Sequence, residues 1–133
     1  IAEFMLQNEG AYVTKAWNGQ EAVEIFEKSK PDEFDVILMD IMMPVMNGYE
    51  ATKMIRSLDR KDAKKISIIA MTANAFIEDR IRAKEAGMDE HLSKPIVIDE
   101  VIRTILRCVH FDKEFKNTYS ERNVGLCSEV TEK

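Results

Sequence analysis

Residues 35–52 read DVILMDIMMPVMNGYEAT, and this stretch decides the fold class. Its residues 36–39 form an unbroken apolar run, which is typical of a parallel strand that is covered by helices on both faces. Pro44 and Gly48 then predict a stiff loop that leads into a new helix. Asp40 therefore stands at the carboxyl end of a buried strand, where open α/β sheets bind their ligands.

The sequence around this stretch alternates short apolar runs with amphipathic segments between about residues 11 and 111. This alternation predicts a doubly wound α/β fold, in which parallel strands are joined by crossover helices. The predicted strands are residues 11–17, 36–39, 66–71 and 90–93. Apolar residues at helical spacing predict helices at residues 20–29, 51–58, 76–86 and 98–109, with a further helix ending before Gly10. Gly87 is well placed to end the third of these in a left-handed conformation.

The composition limits the class of protein. The chain has 133 residues, which fits one compact domain, and its 45% hydrophobic and 32% charged residues are typical of a soluble globular protein. A net charge of −5 argues against direct contact with nucleic acid, and the apolar runs are too short to span a membrane. The two cysteines have no metal-site spacing, which favours reduced thiols and a cytoplasmic location.

Two further strand ends carry polar side chains. Thr72 follows the predicted strand at residues 66–71, and Lys94 follows the strand at residues 90–93. Taken singly, an Asp or Thr at such a place is more often a helix cap, and a Lys is more often a solvated surface group. Together they predict a site for phosphoryl transfer, because a carboxylate can attack phosphorus while a hydroxyl and an ammonium contact the phosphoryl oxygens.

The resemblance becomes specific in three blocks: residues 35–52, then IIAMTANA at 68–75, then GMDEHLSKPI at 87–96. They resemble the signature blocks of response-regulator receiver domains of two-component systems, and the wording is similar to receivers of hybrid sensor histidine kinases. The resemblance implies a CheY-like, flavodoxin-like fold of three α/β/α layers. It implies partners as well: a sensor histidine kinase or a histidine phosphotransfer protein, although a parent protein could itself be a hybrid kinase.

The resemblance also assigns roles to single residues. Asp40 would be the phosphoacceptor, Thr72 the switch hydroxyl and Lys94 its cationic partner. Ala73 beside Thr72 is small, which predicts a site open to a partner's phosphohistidine. His91 occupies the position of the switch aromatic, and the Lys94-Pro95 bond is expected to be cis.

A Mg²⁺ ion is the cofactor that the resemblance implies. It would be bound by Asp40, by the backbone carbonyl of Met42 and by acidic residues after the family's first strand. That strand would lie between the strands at residues 11–17 and 36–39, and the resemblance places it before Ile1, so we expect it to be missing from residues 1–133. The chain is therefore expected to be a fragment with weak or absent Mg²⁺-dependent phosphorylation.

The domain organisation predicted on this basis is a receiver domain at residues 1–111 that lacks its first strand, followed by a tail or linker at residues 112–133. We expect four strands and an irregular tail. One alternative stays open: residues 123–128 could pair into the gap, with Glu129 in place of a lost acid. Gly125 and the shortness of the segment argue against that alternative.

Three functions remain to be compared. The first is a phosphoacceptor that switches a partner-binding surface at residues 76–110, used for a homodimer or an output domain, with Arg80 and Lys84 on its helix. The second is a receiver-like interaction module that works without phosphorylation. The third is a phosphatase or phosphotransferase with an aspartate nucleophile, but such enzymes use a second acid two residues later, where this chain has Met42.

Overall fold

The computed structural model describes residues 2–8, 10–73, 77–108 and 123–127. These residues contain five strands and six helices. The strands are β1 Tyr12–Ala16, β2 Val36–Asp40, β3 Ser67–Thr72, β4 Glu90–Ser93 and β5 Asn123–Cys127. The helices are α1 Ala2–Asn8, α2 Gly19–Lys28, α3 Gly48–Ser57, α4 Lys61–Lys65, α5 Ile77–Ala86 and α6 Ile98–Cys108.

All five strands run parallel in a single sheet, in the order β1-β5-β2-β3-β4. β2 lies at the centre of this sheet, and each of its five residues is buried. Successive side chains of a strand point to opposite faces, so a strand that is buried throughout needs cover on both sides. The predicted α/β/α layering is confirmed.

Two apolar clusters show how the helices provide that cover. On one face, Ile37 and Met39 of β2 pack with side chains of α2, α3, α4 and α5. On the other face, Val36 and Leu38 pack with Leu6 of α1 and with side chains of α6. The core is therefore two layers of side chains, one above and one below the sheet.

The prediction of four strands and an irregular tail was wrong. Residues 123–127 form β5, and this strand fills the place between β1 and β2 that was expected to be empty. The physical reason is that an open slot would leave backbone groups of two strands unpaired, and the tail segment satisfies both. Val124 and Leu126 are buried to 0% and 1% exposure, which adds apolar burial to the gain in hydrogen bonding.

Asp35 fixes where β5 begins. Its backbone N–H donates to the carbonyl of Asn123 at 2.9 Å, and its carboxylate Oδ2 accepts from the backbone N–H of Asn123 at 2.8 Å. This two-way contact lies just before β2 and β5 start to pair, with Val36 opposite Val124. The clasp sets the register of a strand that has few large side chains to define it.

Gly125 at the middle of β5 leaves a small apolar cavity of about 20 Å³ beneath α2, lined partly by Phe26, Ile37 and Cys127. A Cβ at position 125 would lie 3.5 Å from Cγ1 of Ile37, which is an ordinary contact distance. The glycine is therefore tolerated here but is not required by the space around it.

The predicted bounds of one strand and the predicted end of one helix agree with the structure. The strand at 90–93 has the predicted bounds, and Gly87 ends α5 with a φ of 110°. The short helix α4 was not predicted. Within the described residues, the helices are too short or too polar to cross a membrane.

Candidate functional site

Three polar residues meet at the carboxyl edge of the sheet. Asp40 and Thr72 are the last residues of β2 and β3, and Lys94 directly follows β4. The register places Asp40 opposite Met71, and Thr72 opposite Ser93. Because parallel strands end at the same edge, the three residues are brought together, as the sequence predicted.

Lys94 is joined directly to Asp40. Its Nζ lies 2.7 Å from Oδ2 of Asp40, and its backbone N–H donates to the carbonyl of Thr72 at 2.8 Å. The Asp40 side chain is only 2% exposed, whereas that of Lys94 is 35% exposed. A carboxylate this deeply buried needs a cation and hydrogen bonds to remain charged, and Lys94 provides the cation. The bond between Lys94 and Pro95 is cis, as expected.

The second carboxylate oxygen of Asp40 is held by the loop that follows it. The backbone N–H of Met42 donates to Oδ1 at 3.1 Å. The two oxygens thus have different partners, one from a side chain of the neighbouring strand end and one from the backbone of the chain's own loop. The carboxylate is held in a fixed orientation by this pair of contacts.

The loop itself, residues 41–47, is closed at its base. Gly48 donates its N–H to the carbonyl of Ile41 at 2.9 Å, and a Cβ at position 48 would lie 2.4 Å from the carbonyl oxygen of Asp40. Only glycine fits there. Pro44 accepts from the N–H of Met46 at 2.7 Å, which forms a tight turn in which Val45 has a φ of 68°. The predicted stiff loop is confirmed, and Asn47 and Glu50 begin α3 with a capping box.

Thr72 and Ala73 stand at the carboxyl end of β3, the strand next to β2. Thr72 is half-buried and Ala73 is exposed, while residues 74–76 lie outside the described part of the chain. Asp40 itself is only 2% exposed and is paired with Lys94, and the expectation that a small residue at position 73 leaves the site open to a partner stays a prediction.

His91 lies in β4, the edge strand that Lys94 directly follows. It is half-buried, and its side chain makes no hydrogen bond or ion pair within the part of the chain that the structure describes. It lines two grooves that flank β4, one of about 360 Å³ beside α6 and one of about 160 Å³ beside α5.

The described residues alone do not fit a Mg²⁺ site. None of their His, Cys, Asp and Glu side chains form a group of three or more that could hold a metal ion. Asp40 and the Met42 carbonyl are the only members of the expected ligand set that fall in this part of the chain, whereas Mg²⁺ demands six oxygens in a nearly octahedral arrangement. Glu129, the alternative acid, lies outside the described residues.

One residue of the site was missed by sequence reasoning. Gly19, at the start of α2, donates its N–H to the carbonyl of Met46 at 3.0 Å, so the loop after β1 touches the loop after β2. The available signal was a glycine at the first position of a helix, where the helix itself does not require one. The contact could not be inferred because it joins loops on either side of β5, a strand that was not expected.

Comparison with known proteins agrees with this geometry. The family model described as the response regulator receiver domain matches residues 1–106. The hybrid signal transduction histidine kinase L of Dictyostelium discoideum is 39% identical over 76% of this chain, and histidine kinase 1 of Arabidopsis thaliana is 35% identical over 80%. The chain spans only 6% and 11% of the length of these two proteins.

Solved structures are similar as well. The receiver domain of the sensor histidine kinase PA1611 from Pseudomonas aeruginosa, which has a magnesium ion coordinated in its active-site cleft, is 38% identical with a TM-score of 0.72. The match covers 81% of this chain and 84% of that one. The chemotaxis protein CheY4 of Vibrio cholerae is 30% identical with a TM-score of 0.71, over 80% and 85% of the two chains. On sequence and fold together, this chain belongs to the response regulator receiver domain family of two-component signalling.

Proposed function

We propose that this domain accepts a phosphoryl group on Asp40 from a phosphohistidine of a partner protein. The observation that carries the proposal is the 2.7 Å contact between Lys94 Nζ and the buried Asp40 carboxylate, at a strand edge that also presents Thr72. A structural ion pair alone would not need a hydroxyl beside it at the end of the intervening strand. The three groups together suit a carboxylate nucleophile with partners for the phosphoryl oxygens.

The chemistry that we propose is one displacement at phosphorus. A carboxylate oxygen of Asp40 forms a bond to phosphorus as the P–N bond to the donor's imidazole breaks, and the imidazole leaves with the electron pair and takes up a proton. Lys94 would then pair with a phosphoryl oxygen instead of Oδ2, and the Thr72 hydroxyl would donate to another. The 35% exposure of Lys94 leaves its ammonium room for that change.

Mg²⁺ is the ion that a relative carries in its active-site cleft. In this chain we propose weak Mg²⁺ dependence, because the described residues supply one carboxylate and no cluster of acids. The steps above are assigned only to Asp40, Thr72 and Lys94. Adding Mg²⁺ to the labelling reaction tests this part directly, and a large rise in rate would show that further acidic ligands reach the site.

The partners that we propose are a sensor histidine kinase or a histidine phosphotransfer protein, since the relatives are named as histidine kinases. We propose that this phosphotransfer takes place in the cytoplasm. Cys108 and Cys127 are both free, and thiols stay reduced in that compartment. A partner would recognise the phosphorylated state of the domain at residues 76–110, through the two grooves beside β4. An output domain and a second copy of the domain are both suitable partners for that face.

Arg80 and Lys84 give a way to test this face. Both line the groove beside α5, and neither has an ion pair among the described residues. Reversing their charge with Arg80→Glu and Lys84→Glu is expected to weaken partner binding or dimer formation without changing labelling of Asp40. Unchanged binding of every partner and an unchanged oligomeric state would place the output surface elsewhere.

The labelling experiment decides between a phosphoacceptor and an interaction module. The chain is incubated with acetyl phosphate or a phosphorylated histidine phosphotransfer protein, and its intact mass is measured. We expect one added phosphoryl group, lost in Asp40→Asn because an amide is not a nucleophile, and retained in the control Asp59→Asn. Labelling of the Asp40→Asn variant would refute the assignment, and no labelling of the native chain would favour a module that works by binding alone.

A further inference from the structure

The loop that holds Asp40 is supported from outside as well as from its base. Gly19 belongs to the turn between β1 and α2, and Met46 belongs to the loop between β2 and α3. β5 lies between β1 and β2 in the sheet, so the contact from Gly19 to Met46 bridges the width of a whole strand. It is the point where the two loops are joined by a backbone hydrogen bond.

The fit at this point excludes any side chain. A Cβ at position 19 would lie 2.2 Å from the carbonyl oxygen of Met46, 2.9 Å from its carbonyl carbon and 3.0 Å from its Cβ. Real Cβ atoms do not approach an oxygen this closely, and the obstacle is backbone that cannot rotate away. An added methyl group would therefore force the two loops apart by about 1 Å, which is the size of displacement that costs an active site up to ~100-fold in rate.

We propose that Gly19 is a positioning residue for the Asp40 carboxylate, an inference that rests on the proposed phosphoacceptor function. The path is short. Gly19 fixes Met46, the tight turn at Pro44 and Met46 fixes the rest of the loop, and the loop delivers the N–H of Met42 to Oδ1 of Asp40. Lys94 holds the other oxygen, Oδ2, so a displaced loop would remove the hydrogen bond to Oδ1 and leave the orientation of the carboxylate less well defined.

Gly48 fixes only the base of the same loop, so the outer part of the loop needs a second contact, which is the one at Met46. The base is fixed because Gly48 donates to Ile41 and packs on the Asp40 carbonyl. The outer part carries Val45 in a left-handed conformation that a β-branched side chain rarely adopts. A loop of this shape needs an anchor beyond its base, and the Gly19 backbone provides it.

The test compares Gly19→Ala with a matched glycine variant, Gly125→Ala, in the full chain at a temperature at which both remain folded. We expect the rate of phosphoryl labelling from acetyl phosphate to fall 10-fold to 100-fold in Gly19→Ala and to stay within 2-fold of the native rate in Gly125→Ala. A fall in thermal stability alone would not change the labelling rate of those molecules that remain folded.

Amide hydrogen exchange gives a second reading that does not depend on phosphorylation. In Gly19→Ala, the Met42 amide is expected to lose protection, while the Ile68 amide, which donates to Asp89 at the far edge of the sheet, keeps its protection. Native labelling rates in Gly19→Ala would overturn the inference. If the native chain itself is never labelled, the proposed function fails, and unchanged protection of Met42 would then overturn the role of Gly19 independently.

Discussion

β2 and β5 lie side by side in the centre of the sheet, and they are held there in different ways. β2 has four apolar residues before Asp40, each buried, and it packs against helices on both faces. β5 has a glycine at its middle and a cavity of about 20 Å³ beside it. β2 is positioned by the packing of its own side chains, whereas β5 occupies a slot that β1 and β2 leave open.

The contact with Asp35 shows what this difference requires. A strand with few large side chains can slip in register, and slippage by one residue would exchange its two faces. Asp35 prevents that by binding both backbone groups of Asn123 at the start of β5. The register of β5 therefore depends on the two hydrogen bonds made by Asp35, the residue just before β2.

The largest effect is expected from removing matched core side chains of the two strands. Leu38 and Leu126 are opposite each other in the register, and both are 1% exposed. Leu38→Ala and Leu126→Ala should each lower the free energy of unfolding by about 2 to 5 kcal/mol, because each leaves a cavity in the same core layer. Urea denaturation measures both. A loss below about 0.5 kcal/mol for Leu126→Ala alone would show that β5 does not occupy the slot.

A smaller loss is expected from breaking the clasp. Asp35→Ala leaves the backbone N–H of Asn123 without its carboxylate partner, which should cost about 1 to 3 kcal/mol. The matched control is Asp59→Ala, an exposed aspartate for which a change within about 0.5 kcal/mol is expected. Equal stability of the two variants would mean that Asp35 does not fix the register of β5.

The pH dependence of β5 gives a third test. Burial of the Cys127 thiol, together with the charge of Glu21, raises its pKa to about 12. The unfolded chain ionises this thiol near pH 8.5, so stability is fully present below that pH and falls as the pH rises toward the folded pKa, by roughly 1 to 2 kcal/mol at pH 10.

Cys127→Ala should remove this contribution to the alkaline slope of unfolding free energy between pH 8 and 10. Cys108 is the comparison, since burial raises the pKa of its half-buried thiol to about 11. Cys108→Ala should therefore change the slope over the same interval as well, and only Cys127 should also resist alkylation at neutral pH until β5 separates. Rapid alkylation of native Cys127 would contradict its place in the core.

The smallest effect is a gain. Gly125→Ala should stabilise the fold by about 0.5 to 1 kcal/mol, because alanine lowers the entropy of the unfolded chain and its Cβ finds ordinary contacts with Ile37. Thermal denaturation measures the shift. A destabilised variant would show that the space beside β5 is smaller than the structure indicates.

Sequence reasoning was sufficient for the strand that carries Asp40. Residues 36–39 form a local apolar run with a stiff loop after it, and both signals come from neighbouring residues in the chain. The pairing of Asp40 with Lys94 followed from their places at two strand ends. These features could be predicted because strand ends of a parallel sheet share one edge.

The parts that could not be predicted depend on contacts between distant segments. β5 has Gly125 at its centre and only five residues, so its local signal is weak, and its stability comes from a slot that β1 and β2 create. The deep burial of Asp40 and the contact of Gly19 with Met46 also depend on segments that are distant in the sequence. Each could be predicted only by knowing which segments are neighbours in space. Because β5 was not predicted, the neighbours of the loops on either side of it were not known.

The central place of β5 has a consequence for how the chain folds. Asn123 pairs with Tyr12, a separation of 111 residues, and the register with β2 joins Val124 to Val36 across 88 residues. Pairings this distant in sequence are slow to form, because the closure of a long loop precedes any gain in contacts. During synthesis, β1 and β2 would expose their facing edges until residue 127 has left the ribosome. We therefore expect a late folding step and a period in which the nascent domain is prone to aggregate through those edges.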